Sequence, residues 1–406
     1  MTVEETVLLA ADAAKAASRE LLRATAEQRQ QALLAMARAI RDGGEDIKRA
    51  NALDMDAGEK NGLSSAMLDR LFLDDGRIEE IAQALEEIAE LPDPVGRVLD
   101  TWTIENGLVI EKVAMPIGVI GIIFESRPNV TADAAGLCMK SGNAALLRGG
   151  SEAINSNLAI AGVLQAACES VGLPAGCVSM IDITDREAVG IMAGLADHVD
   201  LIIPRGGEGL IRAVAEAAKV PVLKHYRGMT QIFVDESADV DLAVKLVHNA
   251  KVQRPGVCNA VENLYVHAAA DEALQAVIAD LRESGVEVRG CPRTCALVDG
   301  LVAATDEDFD TEYLDLIISV MIVDSLDEAL DHIAEHGSGL TEAIVTNDQA
   351  NADRFLREVD SSAVYHNAST RLTDGGVFGL GAEIGVSTDK IHARVPVGAQ
   401  ELTIYK

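Results

Sequence analysis

Basic and aromatic residues are both scarce in this chain of 406 residues. Lysine and arginine number 34 against 65 aspartates and glutamates, which gives a formal net charge of −31 at pH 7. Nucleic acid is held mainly by clustered Lys and Arg side chains, so this balance argues against nucleic acid as a partner. Aromatic residues make up only 3% of the chain. An anionic ligand would have to bind at a local basic patch within an acidic surface.

The chain also lacks a long apolar run, and no secretory leader is expected. Its longest apolar run, from Val113 to Phe124, is interrupted by Pro116 and Gly118 and is too short to span a bilayer. The opening MTVEETVLLAADAAKAASRE is an acidic helix start without the basic and apolar regions of a signal peptide. Six cysteines in such a chain are expected to be reduced thiols, so we expect a cytoplasmic protein that binds no membrane.

The order of helix-like and strand-like patterns predicts an α/β protein. The first ninety or so residues are helical, and Thr25 with Gln28 forms a capping box in TAEQRQQALLAMARAIRDGG. From Val119 onward, strand patterns such as VIGIIFE, NAALLRG and VDLIIPRGG alternate with helix patterns, and a second such series begins near Gln231. This alternation predicts parallel βαβ units with right-handed crossovers, arranged in two domains.

The stretch TWTIENGLVIEKV predicts a β-hairpin between the helical start and the first βαβ unit. Two alternating runs flank Asn106-Gly107, a pair that favours a type I′ turn. A two-stranded ribbon alone is only marginally stable. We therefore expect it to pack on another part of the protein or on another subunit.

Three strand ends carry arginine or glycine where a ligand could bind. In open parallel sheets, ligands bind beyond the carboxyl ends of the strands, near backbone N–H groups and helix N-termini. Two successive βα turns that pair glycines with arginine predict a phosphate-bearing cofactor. The residues at these ends are Arg127, Arg148, Ser151, Arg205, Gly206 and Gly207.

Cys258 is the cysteine with a candidate chemical role. It follows Arg254, Pro255 and Gly256, so a bend and a cation precede the thiol, which favours a low pKa and exposure. From the pattern alone, two hypotheses stay open: a buried small hydrophobe or a nucleophile. The other five are expected to be inert; Cys138, Cys168 and Cys177 lie in apolar patterns, and Cys291 with Cys295 lacks a second ligand pair, so no metal site is expected.

Four segments closely resemble the γ-glutamyl phosphate reductase family of the aldehyde dehydrogenase superfamily. They are FESRPNVTADAAGLCMKSGNAALLRGGSEA, QRPGVCNAVEN, TEYLDLI and NASTRLTDGGVFGLGAEIGVSTDKIHAR, and the likeness continues to the final ELTIYK. The resemblance implies an aldehyde dehydrogenase-like α/β fold with three parts. These are a Rossmann-like NADP-binding domain (1–98 and 113–230), an α/β catalytic domain (231–392) and a small β oligomerisation ribbon (99–112 and 393–406). A homo-oligomer is therefore expected.

The resemblance also implies a reaction in proline biosynthesis. NADPH would reduce L-glutamyl 5-phosphate to L-glutamate 5-semialdehyde with release of phosphate, through a thioester on Cys258. Where hydrolytic relatives carry a glutamate base, this chain has Lys224 and His225, which favours reduction over hydrolysis. Glutamyl phosphate is the expected small-molecule partner, and binding to glutamate 5-kinase stays an open question.

Further site residues follow from the same resemblance. Arg148 and Ser151 stand where the superfamily commonly has a lysine and a ribose-binding glutamate, which favours NADPH over NADH. The expected cofactor-binding residues are Arg148, Ser151, Gly206, Gly207 and Glu312, the last on the nicotinamide ribose. The expected substrate-binding residues are Arg127, Arg254, Asn367, Ser369 and Arg371. The chain departs from the family at Leu340, which replaces a histidine, and at Val395, which replaces a glycine.

Three alternative functions remain at this point. An acylating dehydrogenase of the same superfamily would release coenzyme A instead of phosphate. A non-catalytic scaffold relative would keep the fold without the chemistry, although Cys258, Arg148 and Glu312 are all present. A cysteine hydrolase would need a histidine beside the thiol, and no recognisable pairing is visible in the sequence.

Overall fold

A computed structural model describes all 406 residues, and the chain divides into two compact units. Unit 1 comprises Met1–Lys224, Gly379–Val386 and Lys390–Lys406, and unit 2 comprises His225–Phe378 and Ser387–Asp389. Each unit contains a parallel sheet and helices, which confirms the predicted α/β class. No helix has the length and apolar character needed to cross a membrane.

Fourteen α-helices and sixteen strands make up the regular structure. The helices are α1 (Val3–Leu21), α2 (Ala26–Asp42), α3 (Gly44–Lys60), α4 (Ser65–Leu71), α5 (Asp75–Glu90), α6 (Asn129–Lys140), α7 (Ile154–Ser170), α8 (Glu187–Gly194), α9 (Glu208–Ala217), α10 (Val240–Val252), α11 (Asp271–Glu283), α12 (Pro292–Leu297), α13 (Leu326–His336) and α14 (Gln349–Glu358). The strands are β1 (Val98–Thr103), β2 (Val109–Pro116), β3 (Val119–Phe124), β4 (Ala144–Arg148), β5 (Val178–Met180), β6 (Leu201–Arg205), β7 (Thr230–Val234), β8 (Val261–His267), β9 (Glu287–Gly290), β10 (Val302–Ala303), β11 (Ile317–Val323), β12 (Thr341–Val345), β13 (Ala363–His366), β14 (Gly385–Ser387), β15 (Val395–Val397) and β16 (Thr403–Tyr405). Short 3₁₀ helices lie at Ser151–Ala153, Asp306–Asp310 and Thr370–Leu372.

The central sheet of unit 1 has four parallel strands in the order β5-β4-β3-β6. Every residue of β3 and β4 is buried. Strands covered on both faces form continuous apolar runs instead of alternating ones, which explains patterns such as VIGIIF. The register pairs Ile123 with both Arg148 and Pro204. The carboxyl ends of β3, β4 and β6 therefore lie side by side.

The predicted capping box is present at the start of α2. Thr25 Oγ1 accepts the backbone N–H of Gln28 at 3.2 Å, and Gln28 Oε1 accepts the N–H of Thr25 at 3.0 Å. Such a cap contributes about 1 kcal/mol to stability. The helix ends at Asp42 with Gly43 as its cap, and α3 starts at the next residue. The buried face of α2 includes Leu33 among its core residues.

The hairpin is confirmed, but its turn differs from the predicted type I′. Strands β1 and β2 are antiparallel and β16 pairs with β2, so the ribbon has three strands. The last pair is Thr103 with Val109, and the Gly107 N–H bonds to the Ile104 carbonyl at 2.9 Å. A type I′ turn needs positive φ at both central residues, whereas only Gly107 has it here (φ +87°). The Ile104 N–H donates to the Leu108 carbonyl at 3.0 Å, so this pair closes a three-residue loop of Glu105, Asn106 and Gly107 in place of the expected two-residue turn.

Unit 2 is built on a seven-stranded sheet in the order β10-β9-β11-β8-β7-β12-β13. Every pairing in it is parallel. Its central strand, β8, is buried except at its last residue. The turn before β8 holds Cys258, so the candidate nucleophile lies next to the buried central strand of the unit.

Val395, at the start of β15, has a strained backbone. Its φ is +91°, in the left-handed region that β-branched residues rarely adopt. The family resemblance associates this position with glycine, which has no Cβ to clash there. The departure seen in the sequence therefore coincides with a backbone conformation that suits glycine.

Candidate active site

Cys258 lies at a turn between α10 and β8, as the sequence indicated. Helix α10 ends at Val252, and Pro255 with Gly256 turns the chain toward the strand. The thiol-bearing residue is half-buried, whereas Cys138, Cys168 and Cys177 are buried in the core as predicted. Burial raises the pKa of the Cys138 thiol well above its ordinary value, which keeps it inert. Cys258 is thus better placed for chemistry than the core thiols.

Gly228 packs directly against the main chain of Cys258. A Cβ atom at Gly228 would overlap the carbonyl oxygen, Cα and Cβ of Cys258. The carbonyl of Cys258 accepts the Thr230 hydroxyl at 2.9 Å, and the Gly228 N–H donates to Glu312 Oε1 at 3.0 Å. The backbone of the nucleophile is therefore held from one side by residues 228–230. Gly228 gives no signal in the sequence, because its φ is not positive and its constraint arises only from this contact.

Arg371 and Arg254 form a basic patch beside the thiol. The Arg371 guanidinium donates to the side chain of Asn259, and its Nε donates to Gln253 Oε1 at 3.1 Å. Burial foremost, and then the positive charge of Arg254, lowers the pKa of Arg371, while the charges of Asp374 and of a Cys258 thiolate oppose that shift. Arg254 itself is exposed. Two arginines near one sulfur supply the local positive charge that an acidic protein needs for an anionic substrate.

Asn367 and Ser369 are close to this patch in the chain, but their polar atoms serve the loop. Asn367 has a left-handed backbone (φ +53°), and its side chain bonds both the N–H and the carbonyl of Thr346, at 3.0 and 2.9 Å. The hydroxyl of Ser369 donates to Asn249 at 2.6 Å and accepts the N–H of Arg371 at 3.3 Å. Both residues therefore position the segment that carries Arg371.

A fully buried ion pair lies under the site. Lys251 Nζ and Glu262 Oε2 are 2.7 Å apart, and both side chains are 0% exposed. Burial raises the pKa of Glu262 to about 7 and lowers that of Lys251. Glu262 Oε1 also accepts the N–H of Leu314 at 3.2 Å, at a residue with φ +54°. The pair thus joins α10, β8 and the loop that carries Glu312.

In unit 1, the predicted cofactor residues gather at the carboxyl edge of the sheet. Arg148 is 7% exposed, and its guanidinium donates to the carbonyls of Thr184 and Asp185 at 3.0 and 3.3 Å. Burial is the main cause that lowers its pKa, and its Nε is buried without a hydrogen-bond partner. Ser151 and Arg127 are exposed at the same edge. The edge therefore presents cationic and hydroxyl groups together.

Two carboxylates at this edge were missed by the sequence analysis. Glu125 Oε2 accepts the N–H of Gly207 at 2.9 Å, and a Cβ on Gly206 would contact the same carboxylate. Glu152 Oε1 accepts the N–H and hydroxyl of Ser126 at 2.7 and 2.8 Å. The amide of Gly207, which was predicted to face a phosphate, is thus already bonded to an acid. The sequence gives no sign of these contacts, because a glutamate that follows a strand can serve several different roles.

Comparison with known proteins identifies the family. A model of the aldehyde dehydrogenase family matches residues 2–289. The γ-glutamyl phosphate reductase of Syntrophomonas wolfei is 52% identical over 406 residues, which is 100% of this chain and 97% of that protein. The crystal structure of the γ-glutamyl phosphate reductase of Thermotoga maritima is 47% identical, with a TM-score of 0.97 over 98% of this chain and 97% of that one. The chain belongs to the γ-glutamyl phosphate reductase family.

Membership of this family confirms the resemblance seen in the sequence. More distant proteins share only the fold. An acetylating aldehyde dehydrogenase from Geobacillus thermoglucosidasius superposes with a TM-score of 0.69 at 19% identity. At that identity the likeness shows a shared fold and nothing about the substrate. Membership of the γ-glutamyl phosphate reductase family, within the aldehyde dehydrogenase family, implies a nicotinamide cofactor. The carboxyl edge of the sheet in unit 1 fits a nicotinamide cofactor, since it combines the unpaired Nε of buried Arg148 with the glycine turn that follows β4.

Proposed function

We propose that this protein catalyses the NADPH-dependent reduction of L-glutamyl 5-phosphate to L-glutamate 5-semialdehyde, with release of phosphate. The proposal is supported by full-length similarity to γ-glutamyl phosphate reductases. The observation that carries the chemistry is Cys258, half-buried at a turn beside Arg371. A positive charge next to a thiol stabilises the thiolate, which is the reactive nucleophile.

In the first half of the reaction, the chain's residues activate the acyl group. The Cys258 thiolate attacks the γ-carbonyl carbon, a C–S bond forms, and the bond to phosphate breaks with its electron pair leaving on oxygen. Arg371 and Arg254 supply positive charge for the departing phosphate or for the α-carboxylate, and the family resemblance makes Arg127 a further candidate for substrate binding. Gly228 and Thr230 keep the backbone of the nucleophile fixed during attack.

In the second half, the thioester on Cys258 becomes the aldehyde. Glu312 is proposed to hold the ribose of a nicotinamide cofactor, which would supply the hydride for the carbonyl carbon when bound. The C–S bond then breaks, and sulfur leaves as the thiolate that began the cycle. Lys224 and His225 stand where hydrolytic relatives carry a glutamate base, which favours reduction of the thioester over its hydrolysis.

The test is the reverse reaction, NADP⁺-dependent oxidation of glutamate semialdehyde, combined with detection of the adduct. Cys258→Ala should abolish turnover and remove the acyl adduct seen by mass spectrometry, whereas Cys295→Ala should leave both intact. Cys295 is the matched control because it is also only partly buried. Activity that requires phosphate supports the proposal, and activity that requires coenzyme A instead supports the acylating alternative. An adduct on another residue would contradict the mechanism.

The preference for NADPH is proposed to rest on Arg148 and on the absence of a glutamate at Ser151. A 2′-phosphate is repelled by a carboxylate and attracted by a guanidinium. Arg148→Ala should raise the KM for NADPH at least tenfold more than the KM for NADH. The ratio matters because loss of the bonds to Thr184 and Asp185 would affect both cofactors alike. Equal changes would refute a role for Arg148 toward the 2′-phosphate.

We also propose that the three-stranded ribbon joins copies of the chain. Its apolar side chains are exposed, with Val98 at 49%, Trp102 at 44% and Tyr405 at 54%. Covering such a patch is the usual reason for its presence on a soluble protein. Trp102→Glu should shift the sedimentation coefficient toward that of a single chain, and an unchanged assembly would place the interface elsewhere.

A further inference from the structure

Helix α13 in unit 2 carries two histidines and a glutamate on one face. His332, Glu335 and His336 are spaced i, i+3 and i+4, so their side chains are neighbours on the helix surface. One ligand atom from each lies within 4.8 Å of the others. The two imidazole rings stack with centroids 5.9 Å apart and planes 13° apart. The proposed reaction uses none of these residues.

His336 is oriented as metal-binding histidines are. Its Nδ1 bonds to Asp310 Oδ1 at 2.9 Å, which leaves Nε2 facing Glu335, whose Oε2 is 4.0 Å away. In metal sites, the ring nitrogen that does not bind the ion is commonly held by a carboxylate, which fixes the tautomer and the ring. Asp310 supplies that contact here. The His336 side chain is 12% exposed, so its Nε2 is held at a defined position close to the surface.

Unsatisfied polar atoms next to the cluster point independently to a missing ligand. His332 Nδ1 is buried and has no hydrogen-bond partner. Tyr265 is 0% exposed, its ring stacks on His332 with centroids 5.6 Å apart, and its hydroxyl is also unpartnered. Buried polar atoms without partners are rare in native proteins.

We propose that His332, Glu335 and His336 form a binding site for a divalent transition metal of the zinc type. Two imidazoles and one carboxylate are a ligand set that zinc accepts, with water in the fourth position. Ligand atoms on a tetrahedral zinc are ~3.3 Å apart for bond lengths of ~2.0 Å, so the three side chains must rotate inward slightly. No metal site was predicted from the sequence because Cys291 and Cys295 lack a second ligand pair, whereas the proposed ligands are the histidines and glutamate of α13.

The site is connected to the nucleophile through the segment 227–229. Asp310, which orients His336, accepts Arg227 Nη1 on its backbone carbonyl at 2.9 Å. Two residues after His336, the Ser338 hydroxyl accepts the Met229 N–H at 3.0 Å. Gly228, between Arg227 and Met229, is the residue that packs on Cys258. A bound cation would therefore restrain the support of the catalytic turn.

The test is a zinc titration in competition with a chromophoric chelator, made in the full-length Cys258→Ala protein so that the reactive thiolate does not bind the metal. We expect one equivalent of Zn²⁺ to bind, and His336→Gln to weaken that binding at least tenfold. Glu335→Gln should weaken it as well, and this variant is safe for folding because Glu335 is 72% exposed. His248→Gln is the matched control, since His248 also pairs with a carboxylate (Asp280, 2.7 Å) but lies on α10.

Cobalt distinguishes the cluster from the remaining thiols. Co²⁺ in the same protein should give d–d bands of nitrogen and oxygen ligands without a thiolate charge-transfer band. Zinc binding should also raise the melting temperature of the parent, and not that of the His336→Gln variant, because a ligand that binds only the folded state stabilises it. A thiolate band, or affinities that are unchanged in both the His336 and Glu335 variants, would overturn the proposal.

Discussion

Removing Lys251 from the buried ion pair tests how the turn of the nucleophile is supported. In Lys251→Met, Glu262 keeps its 0% exposure but loses the ammonium 2.7 Å away. Breaking a buried pair from one side typically costs 3–5 kcal/mol, i.e. about 4 kcal/mol of unfolding free energy. Lys245→Met is the matched control, because Lys245 is exposed on the same helix and should change stability by less than about 0.5 kcal/mol.

The loss should also depend on pH in a defined direction. Burial raises the pKa of Glu262 to about 7 even beside Lys251, which opposes the shift, so the variant should titrate still higher. A carboxyl whose folded pKa is raised favours the folded state while it is protonated, and this contribution disappears as pH rises through the folded pKa. The deficit of Lys251→Met should therefore be smaller at about pH 5 than at about pH 8.

The assay must isolate unit 2, since a chain with two compact units need not unfold in one step. Hydrogen exchange followed by mass spectrometry on peptides from α10 and β8 reports the opening free energy of that region. The double variant Lys251→Met/Glu262→Gln should recover part of the loss, because no unpaired charge remains buried. A deficit below about 1 kcal/mol, or one that does not change with pH, would refute the view that Glu262 is held as a charged partner.

Two further substitutions test local geometry. Gly228→Ala should lower kcat at least tenfold and lower the free energy of unfolding by about 1–3 kcal/mol, because the new methyl group overlaps the backbone of Cys258. Gly209→Ala is the control and should be nearly neutral, since a Cβ there meets open space. Equal kcat values for the two variants would show that the contact of Gly228 with Cys258 does not matter. Val395→Gly should raise the free energy of unfolding by roughly 1 kcal/mol, since relief of a strained φ outweighs the flexibility that glycine adds to the unfolded chain. Val397→Gly, two residues on and buried, should instead be destabilising, and a loss in both variants would argue that the backbone at Val395 is not strained.

The parts of the fold set by local pattern could be predicted from the sequence. Continuous apolar runs between helical segments identified the parallel strands, and Thr25 with Gln28 identified the start of α2. Cys258 was separated from the other thiols because a bend and a cation precede it. These signals lie within a few residues of one another, so the sequence alone contains them.

The parts of the site made by contacts between distant segments could not be predicted. Gly228 matters because Cys258, thirty residues later, packs on it. Glu125, which follows β3, accepts the backbone N–H of Gly207, which follows β6. The bonds that Asn367 makes to Thr346, with its left-handed backbone, could not be read from the sequence, and its role in substrate binding stays a prediction. The hairpin shows the same limit, since pairing across the loop overrode the preference of Asn-Gly for a type I′ turn.

The division of the chain has a consequence for how the protein is made. Unit 1 contains both the first residues and Lys390–Lys406, while unit 2 occupies the middle of the chain. On the ribosome, β2 therefore lacks its neighbour β16 until the chain has reached Tyr405, and β8 lacks its neighbour β11 until the chain has reached Val323. Pairing between segments so far apart in the chain is slow and leaves sheet edges open in the meantime. Nascent chains of this protein should thus depend on chaperones more than a helical bundle of equal length would.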